Sequence, residues 1–459
     1  MRLSPALTAE TRKILALAWP VVLTSLNWTI LHVTDVIVVG LTGTGEVAYL
    51  GASRALTFIG IVIAIGALSG ILVHVSRADG AKDLPGTGRV FHEGLLLAAA
   101  LGIVSAVILF ALATPMLAGL GVDAHIVPGA AHVVQVMAFA YPFQLMIVAA
   151  SFFLEGVSRP RRVAVVNLSI LPLNAVLAWA MSGGHLGLPV MGAAGAAAAT
   201  AIASAIGAVG MLGAAWTLPD ARARGVHALN RLWTPKTRAG AVALAKFGFV
   251  PGLASGLELA GFSILIALST QLGDVTTHAF QIVFSIHNLT FAIALGLGSA
   301  AGVRAGNAVG EGVPEQAAWR AGIAAGISAI AIGLQALALL VMPVTIVGLF
   351  PAIEPVHALA AAMLIPWAPF ILFDGVQVVF VYALRSLGDQ VAAGVNSIIA
   401  FFVITGGAGV LLVHLGYGAF ALVYASGIGM LAAAALHGGR LFLVSARLKR
   451  ALRQSAQRS

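Results

Sequence analysis

The sequence predicts an all-α membrane protein: twelve transmembrane helices in two pseudo-symmetric six-helix lobes around a central cavity. Three observations predict it. The chain is 60% hydrophobic and only 9% charged over 459 residues, whereas a soluble domain carries roughly a quarter charged residues. Its apolar residues fall into about twelve runs, each near the roughly 20 residues that a spanning helix needs. Its basic residues concentrate in alternate connections between those runs.

Taken in order, the expected spans are 14–40, 47–75, 91–117, 126–155, 162–182, 190–217, 240–271, 278–305, 316–341, 357–384, 391–415 and 418–440. The first run continues past Asp35 to Gly40, longer than the apolar region of a cleaved signal, and is read as a spanning helix. Most runs carry small residues four apart. Gly298, Gly302, Gly306 and Gly310 form one such ladder, suited to close helix approach in hydrocarbon.

With residue 1 placed in the cytoplasm, the outer connections near 41–46, 118–125, 183–189, 272–277, 342–356 and 416–417 contain no Lys or Arg. The opposite connections hold Arg77, Lys82, Arg89, Arg159, Arg161, Arg162, Arg222, Arg224, Arg231, Lys236 and Arg238, and six more basic residues run from Arg440 to Arg458. This pattern places both termini in the cytoplasm of a bacterial inner membrane. It also explains the net charge of +9 by topology and attraction to anionic lipid, with no nucleic-acid partner. The basic tail is expected to be an interfacial amphipathic helix. Cysteine is absent, which excludes disulfides and thiolate zinc sites.

The longest polar interruption is TLPDARARGVHALNRLWTPKTR, residues 217–238. It suggests an N-terminal lobe over 1–220, a cytoplasmic linker over 221–239, a C-terminal lobe over 240–440 and a basic tail over 441–459. The halves resemble each other at an offset of 230 residues, where Phe143, Val148 and Leu154 match Phe373, Val378 and Leu384, and Val73 and Gly80 match Val303 and Gly310. Pro20 and Pro251 fall almost at the same spacing. Six helices per half make the repeats parallel, as in transporters that hold substrate between their halves and alternate access.

Four strongly charged residues lie well inside predicted helices: Asp35, Arg54, Glu258 and Asp374. Each costs about 2.5 kcal/mol or more near the bilayer centre, so such residues are expected to face a cavity and act there. Glu258 and Asp374 lie near mid-depth, where two carboxylates together invite a proton or a cation such as Na+ between them. Asp35 lies nearer the outer surface as a further proton site. Arg54 is placed to pair with Asp35 or to meet an anionic substrate group. Asn27, Asn174, Gln281, Asn288 and Asn396 either line a cavity or bond neighbouring helices. Phe280, Phe284 and Phe291 either stack on flat substrates or pack. His32, His74, His132, His287, His414 and His437 show no metal-ligand clustering. No P-loop, nucleophile elbow or zincin motif is present, so an enzyme is not expected.

These motifs resemble the multidrug and toxic compound extrusion (MATE) family, in its NorM-like branch. The resemblance runs over nearly the whole chain. It rests on VTDVIVVG, FHEGLLLA, LPLNAVLAW, GLPVMGAAGAAAAT, GLELAGF, GDVTTHAFQIVFS, GLGSAAGVRAGNAVGEG and FDGVQVVFVYALRSLGD, in that order. It implies a secondary antiporter, without a cofactor, that exports amphipathic, often cationic compounds in exchange for H+ or Na+. It also implies coupling roles for Asp35, Glu258 and Asp374, with Gln281 in the cavity and Asn174 beside the first acid. The expected substrate cavity comprises Asn27, Arg54, Asn174, Phe280, Gln281, Phe284, His287, Asn288 and Phe370, in a monomer surrounded by lipid. Four positions depart from the family pattern: Ala178 for a second asparagine, Phe370 for a tyrosine at the second-half cation site, Phe280 for a histidine, and Arg54. A lipid-linked oligosaccharide flippase is the alternative; it would want a basic cavity, which three intramembrane acids oppose. An intramembrane enzyme lacks a clustered His/Asp or Ser/Lys site, and the two-lobe repeat disfavours a channel.

Overall fold

The computed structural model describes residues 5–456. Its spans are α1 (Pro5–Gly40), α2 (Gly45–Gly80), α3 (Leu84–Gly119), α4 (Val127–Ala138 and Tyr141–Gly156, bent by 48°), α5 (Pro160–Gly183), α6 (Gly192–Trp216), α7 (Pro235–Gln271), α8 (Asp274–Gly310), α9 (Pro314–Val341), α10 (Glu354–Ser386), α11 (Gln390–His414) and α12 (Phe420–Ala456). Counting the bent pair as one span gives twelve among the described residues. Of the expected basic tail, residues 441–456 continue α12 as helix, and residues 457–459, Arg458 included, lie outside the described residues.

Local sequence explains the starts and the irregularities. Asp83 caps α3 by accepting a hydrogen bond from the Gly86 amide at 2.9 Å, with Pro85 in the first turn where its missing N–H costs nothing. Asp274 opens α8, where a carboxylate suits the helix dipole. The second piece of α4 begins Tyr141-Pro142 just after the bend. In α11, Ile398–Thr405 form a π-helical stretch, and the Thr405 hydroxyl donates to the Ala400 carbonyl five residues back at 3.1 Å. Gly261 of α7 lies against the Phe401 carbonyl there, so closely that a Cβ would collide with it.

Packing divides the chain into two compact units. One comprises Leu23–Asp79 and Asp83–Gly252; the other comprises residues up to Val22, Gly80–Lys82 and everything from Leu253. The division therefore falls inside α1 and α7, not at the 221–239 linker that the polar run suggested. Both exchange points sit one or two residues beyond a proline, Pro20 in α1 and Pro251 in α7. Proline removes a hydrogen bond from the helix ladder and displaces the carbonyl one turn back, so it is where a long helix most readily changes direction.

The exchange is reciprocal in its contacts. In the unit built mainly from the second half, Gly296 of α8 lies against the Ala18 backbone and Val22 of α1. Glu10 is clamped there by Arg304, with Nε to Oε1 at 2.5 Å and Nη2 to Oε2 at 2.7 Å. In the other unit, Gly248 and Gly252 of α7 lie against the backbone of α2 at Ala67 and Ile63. Hydrocarbon gives no drive for apolar helices to associate, so close backbone approach through small residues supplies the contact. The expected glycine ladder serves the same end: Gly298 and Gly302 receive the ring of Tyr382 from α10, and the Ser386 hydroxyl donates to the Gly302 carbonyl at 2.8 Å.

Candidate functional site

The intramembrane charges gather into two clusters, one in each unit. In the first, α1 supplies Asp35, α2 Arg54 and α5 Asn174. Arg54 donates from Nη2 to Asp35 Oδ2 at 2.9 Å and from Nη1 to the His32 carbonyl at 3.0 Å. Asn174 donates from Nδ2 to Asp35 Oδ1 at 3.1 Å. Both carboxylate oxygens are thereby occupied. The Asp35 and Arg54 side chains are 8% and 24% exposed, so the negative charge is neutralised where it is buried. Of the two roles open to Arg54, the structure shows the pairing. The His32 ring stands edge-on to Trp28 and Phe58. Asn27 does not join this cluster; its Nδ2 bonds the Asn167 carbonyl at 3.1 Å, an interhelical tie.

In the second cluster, α8 supplies His287 and α10 supplies Asp374 and Gln377. His287 Nε2 faces Asp374 Oδ2 at 3.6 Å, and Gln377 Nε2 donates to Asp374 Oδ1 at 3.1 Å. The His287 ring is enclosed by Phe262, Phe284, Phe291 and Trp367, with centroids at 6.0, 6.0, 5.9 and 5.7 Å. His287 and Asp374 are both buried. Glu258 of α7 is half-buried and interacts electrostatically with Asp374 and with Arg385 near the end of α10. The Arg385 guanidinium also lies over the Tyr382 ring at 5.7 Å.

Three expected cavity residues are placed differently. Phe280 is fully buried, stacked with Phe284 and Trp367. It is a core ring that cannot touch a substrate, because α8 turns its exposed face elsewhere. Asn27 is buried in its tie to Asn167. Phe370 packs its ring on Gly427 of α12. By contrast, Gln281 and Asn288 are exposed with His278 and Ser285 on one face of α8. His278, Gln281 and Ser285 open onto a cleft of about 460 Å³ that is lined on its other side by Pro351, Ala352 and Ile353. A polar stripe on a spanning helix faces water or ligand, since hydrocarbon would penalise it. The stretch of α2 that lies 230 residues earlier exposes Ala48, Gly51, Ala55 and Phe58 instead.

The repeat thus keeps its register in sequence and changes its chemistry. At the same offset, Asp374 corresponds to Gln144, His287 to Thr57, and Arg54 to Phe284. Sequence reasoning missed Gln377, Arg385, Phe262 and Trp367. Gln377 stands three residues after Asp374, one helical turn, and that spacing could have found it. Arg385 stands in the last turn of α10, a position at which nothing in the sequence sets a basic residue apart. Nothing in an apolar run marks Phe262 and Trp367 as cage walls.

The MatE family model matches this chain twice, over residues 20–180 and 252–406. The chain belongs to the MatE family. The two matches, one in each half, coincide with the internal repeat. Among curated MatE relatives, the multidrug resistance protein PmpM of Pseudomonas aeruginosa is 26% identical over 397 residues, covering 86% of this chain and 82% of its own. A probable multidrug resistance protein NorM of Deinococcus radiodurans is 30% identical over 412 residues, covering 88% and 89%. Among solved structures, the eukaryotic MATE transporter AtDTX14 superposes with a TM-score of 0.87 over 98% of this chain and 99% of its own, at 18% identity, a likeness of fold. The chain is a multi-pass membrane protein with the all-helical MATE fold.

Proposed function

We propose that this chain is a secondary active antiporter that exports amphipathic, cationic compounds in exchange for protons or sodium ions by alternating access. It acts in the bacterial inner membrane with both termini in the cytoplasm, as the one-sided placement of its basic residues suggests. The observation that carries the reading is the acid pair of the second cluster. Glu258 and Asp374 interact electrostatically within spanning helices. Two negative groups in one low-dielectric region repel strongly, and a proton, a metal cation or a cationic substrate relieves that repulsion. A site of this kind takes its visitors in turn, which is what exchange requires. The multidrug resistance names of the relatives agree with such cargo.

The first cluster takes a different part. Asp35 already has a cation within hydrogen-bonding distance, so an incoming ion must displace Arg54 to reach it. Coupling is therefore assigned first to Glu258 and Asp374, with Asp35 and Arg54 balancing each other. A pyrophosphate-bearing lipid gains little support, because the guanidinium beside Asp35 is committed to that carboxylate.

The test is efflux of ethidium from proteoliposomes under an imposed proton or sodium gradient. The wild type is expected to respond to one of the two. Glu258→Gln and Asp374→Asn are each expected to lower gradient-driven efflux at least about tenfold, the range of a lost coupling interaction. Gradient-driven efflux at the wild-type rate in both variants would refute the assignment.

A further inference from the structure

The His287 ring has two features that a packing histidine does not need. The first is its counter-group. His92 and His437 are also buried, but each places Nε2 against a backbone carbonyl, Val226 at 3.2 Å and Ala393 at 3.0 Å. A carbonyl satisfies a neutral imidazole. His287 Nε2 instead faces a carboxylate oxygen at 3.6 Å, a few tenths of an ångström beyond a charge-assisted hydrogen bond of about 2.7–2.9 Å. The second feature is the cage of four aromatic rings, all within the reach of about 6 Å over which a ring face attracts a cation. Burial opposes a charge on this ring; the carboxylate and the ring faces are the groups placed to offset that cost when the ring takes a proton.

We propose that His287 and Asp374 form the proton-binding pair of this transporter, so that the ion taken up in the second unit is a proton. This rests on the antiport reading above. One proton adds to the imidazole–carboxylate pair, turning a net charge of −1 into an imidazolium–carboxylate pair of net zero. Releasing that proton restores the first state, and no other bond is made or broken. The donors suit a proton better than sodium. Both Asp374 oxygens face nitrogen, Gln377 Nε2 at Oδ1 and His287 Nε2 at Oδ2, whereas a hard cation takes oxygen ligands. The charged groups around the pair are Asp374 from α10 against His287, Glu258 from α7 against Asp374, and Arg385 against Glu258. A proton gained by the pair removes one negative charge from beside Glu258 and so weakens the pull of this region on a cationic substrate, which makes proton and substrate bind in turn.

The experiment is histidine-ring NMR of the full-length protein in detergent, with the His287 signal taken from the wild type minus His287→Phe, a variant that keeps an aromatic body in the cage. Should that variant fail to fold, His287→Gln supplies the difference spectrum. The expected signal passes from neutral imidazole to imidazolium between about pH 8 and about pH 5, Asp374→Asn displaces its midpoint by about one pH unit or more, and sodium chloride at constant ionic strength leaves it in place. A ring that keeps one charge state over that range, a midpoint unmoved by Asp374→Asn, or a proton displaced by sodium overturns the proposal. In proteoliposomes, His287→Phe is expected to lose proton-driven ethidium efflux about tenfold and to keep ethidium–ethidium exchange; undiminished proton-driven efflux overturns it. If the wild type moves no ethidium, the antiport reading fails, yet the ring titration still decides the pair.

Discussion

Removing the Arg54 side chain strips Asp35 of its counter-ion and of one of its two side-chain hydrogen bonds, leaving Asn174. Breaking a buried ion pair from one side costs about 3–5 kcal/mol, because the surviving charge stays buried. With the Arg54 side chain 24% exposed and that of Asp35 8% exposed, the lower end applies: about 3 kcal/mol for Arg54→Ala, and a similar amount for Asp35→Asn, which leaves the guanidinium the His32 carbonyl but no counter-ion. The double variant Asp35→Asn/Arg54→Ala buries no net charge and leaves the amide that replaces the carboxylate beside Asn174, so its cost is expected to be about 4 kcal/mol at most. The coupling energy is then about 2–3 kcal/mol. Unfolding in mixed micelles of rising SDS fraction, followed by tryptophan fluorescence, reads these values; about 3 kcal/mol is roughly a hundredfold in the folding equilibrium. Strictly additive costs would show that the two side chains are not coupled in the working protein. In ethidium transport, the double variant is expected to retain more activity than either single one. A dead double variant beside an active Arg54→Ala would instead make Asp35 itself a coupling acid.

Glu10→Gln takes the counter-charge and one of the two acceptor oxygens from the buried Arg304, which also donates to Asn307 at 3.2 Å; a loss of about 3 kcal/mol is expected in the same assay, and an unchanged stability would show that the start of α1 is not anchored there. Gly248→Val drives a Cβ into the Ala67 carbonyl and is expected to destabilise by about 2–3 kcal/mol, while Gly51→Ala, with nothing nearby, is expected to have no such effect; equal behaviour of the two in thermal unfolding would contradict the close approach. The Arg320 hydrogen bond, helped by the charges of Arg320, Arg304 and Lys13, holds the Glu311 carboxyl below its ordinary value of 4.5. Its contribution is therefore present above that value and lost as pH falls through the lowered one. Wild-type stability is expected to decline on acidification more steeply than that of Glu311→Gln, and parallel declines would remove Glu311 as a cause.

Much of the fold was legible because each span is a local property. The run from Pro343 to Ile353 shows how local: too short and too interrupted to cross, it was read as a connection, and the structure gives it only the short helix Pro343–Val347. The repeat was legible too, since an offset needs no knowledge of contacts. The site was legible in part. Asp35, Glu258 and Asp374 announced themselves by the cost of a charge in hydrocarbon. Asn174 was rightly placed beside Asp35 on family resemblance. Phe280 could not be told from Phe284 as core or surface, because the two stand one helical turn apart and small rotations of α8 decide which is covered.

The amino-acid order alone thus determined where the chain crosses, how the two halves repeat, and which residues are too costly to be idle. Tertiary structure decided the partners: Arg54 for Asp35, His287 and Gln377 for Asp374, Arg304 for Glu10, and the transfer of α1 and α7 between units beside Pro20 and Pro251. The physical reason is that lipid rewards every apolar face alike. Hydropathy can place a helix in the membrane, but only shape, at glycines such as Gly248 and Gly296, chooses the neighbour and so brings one buried charge to another.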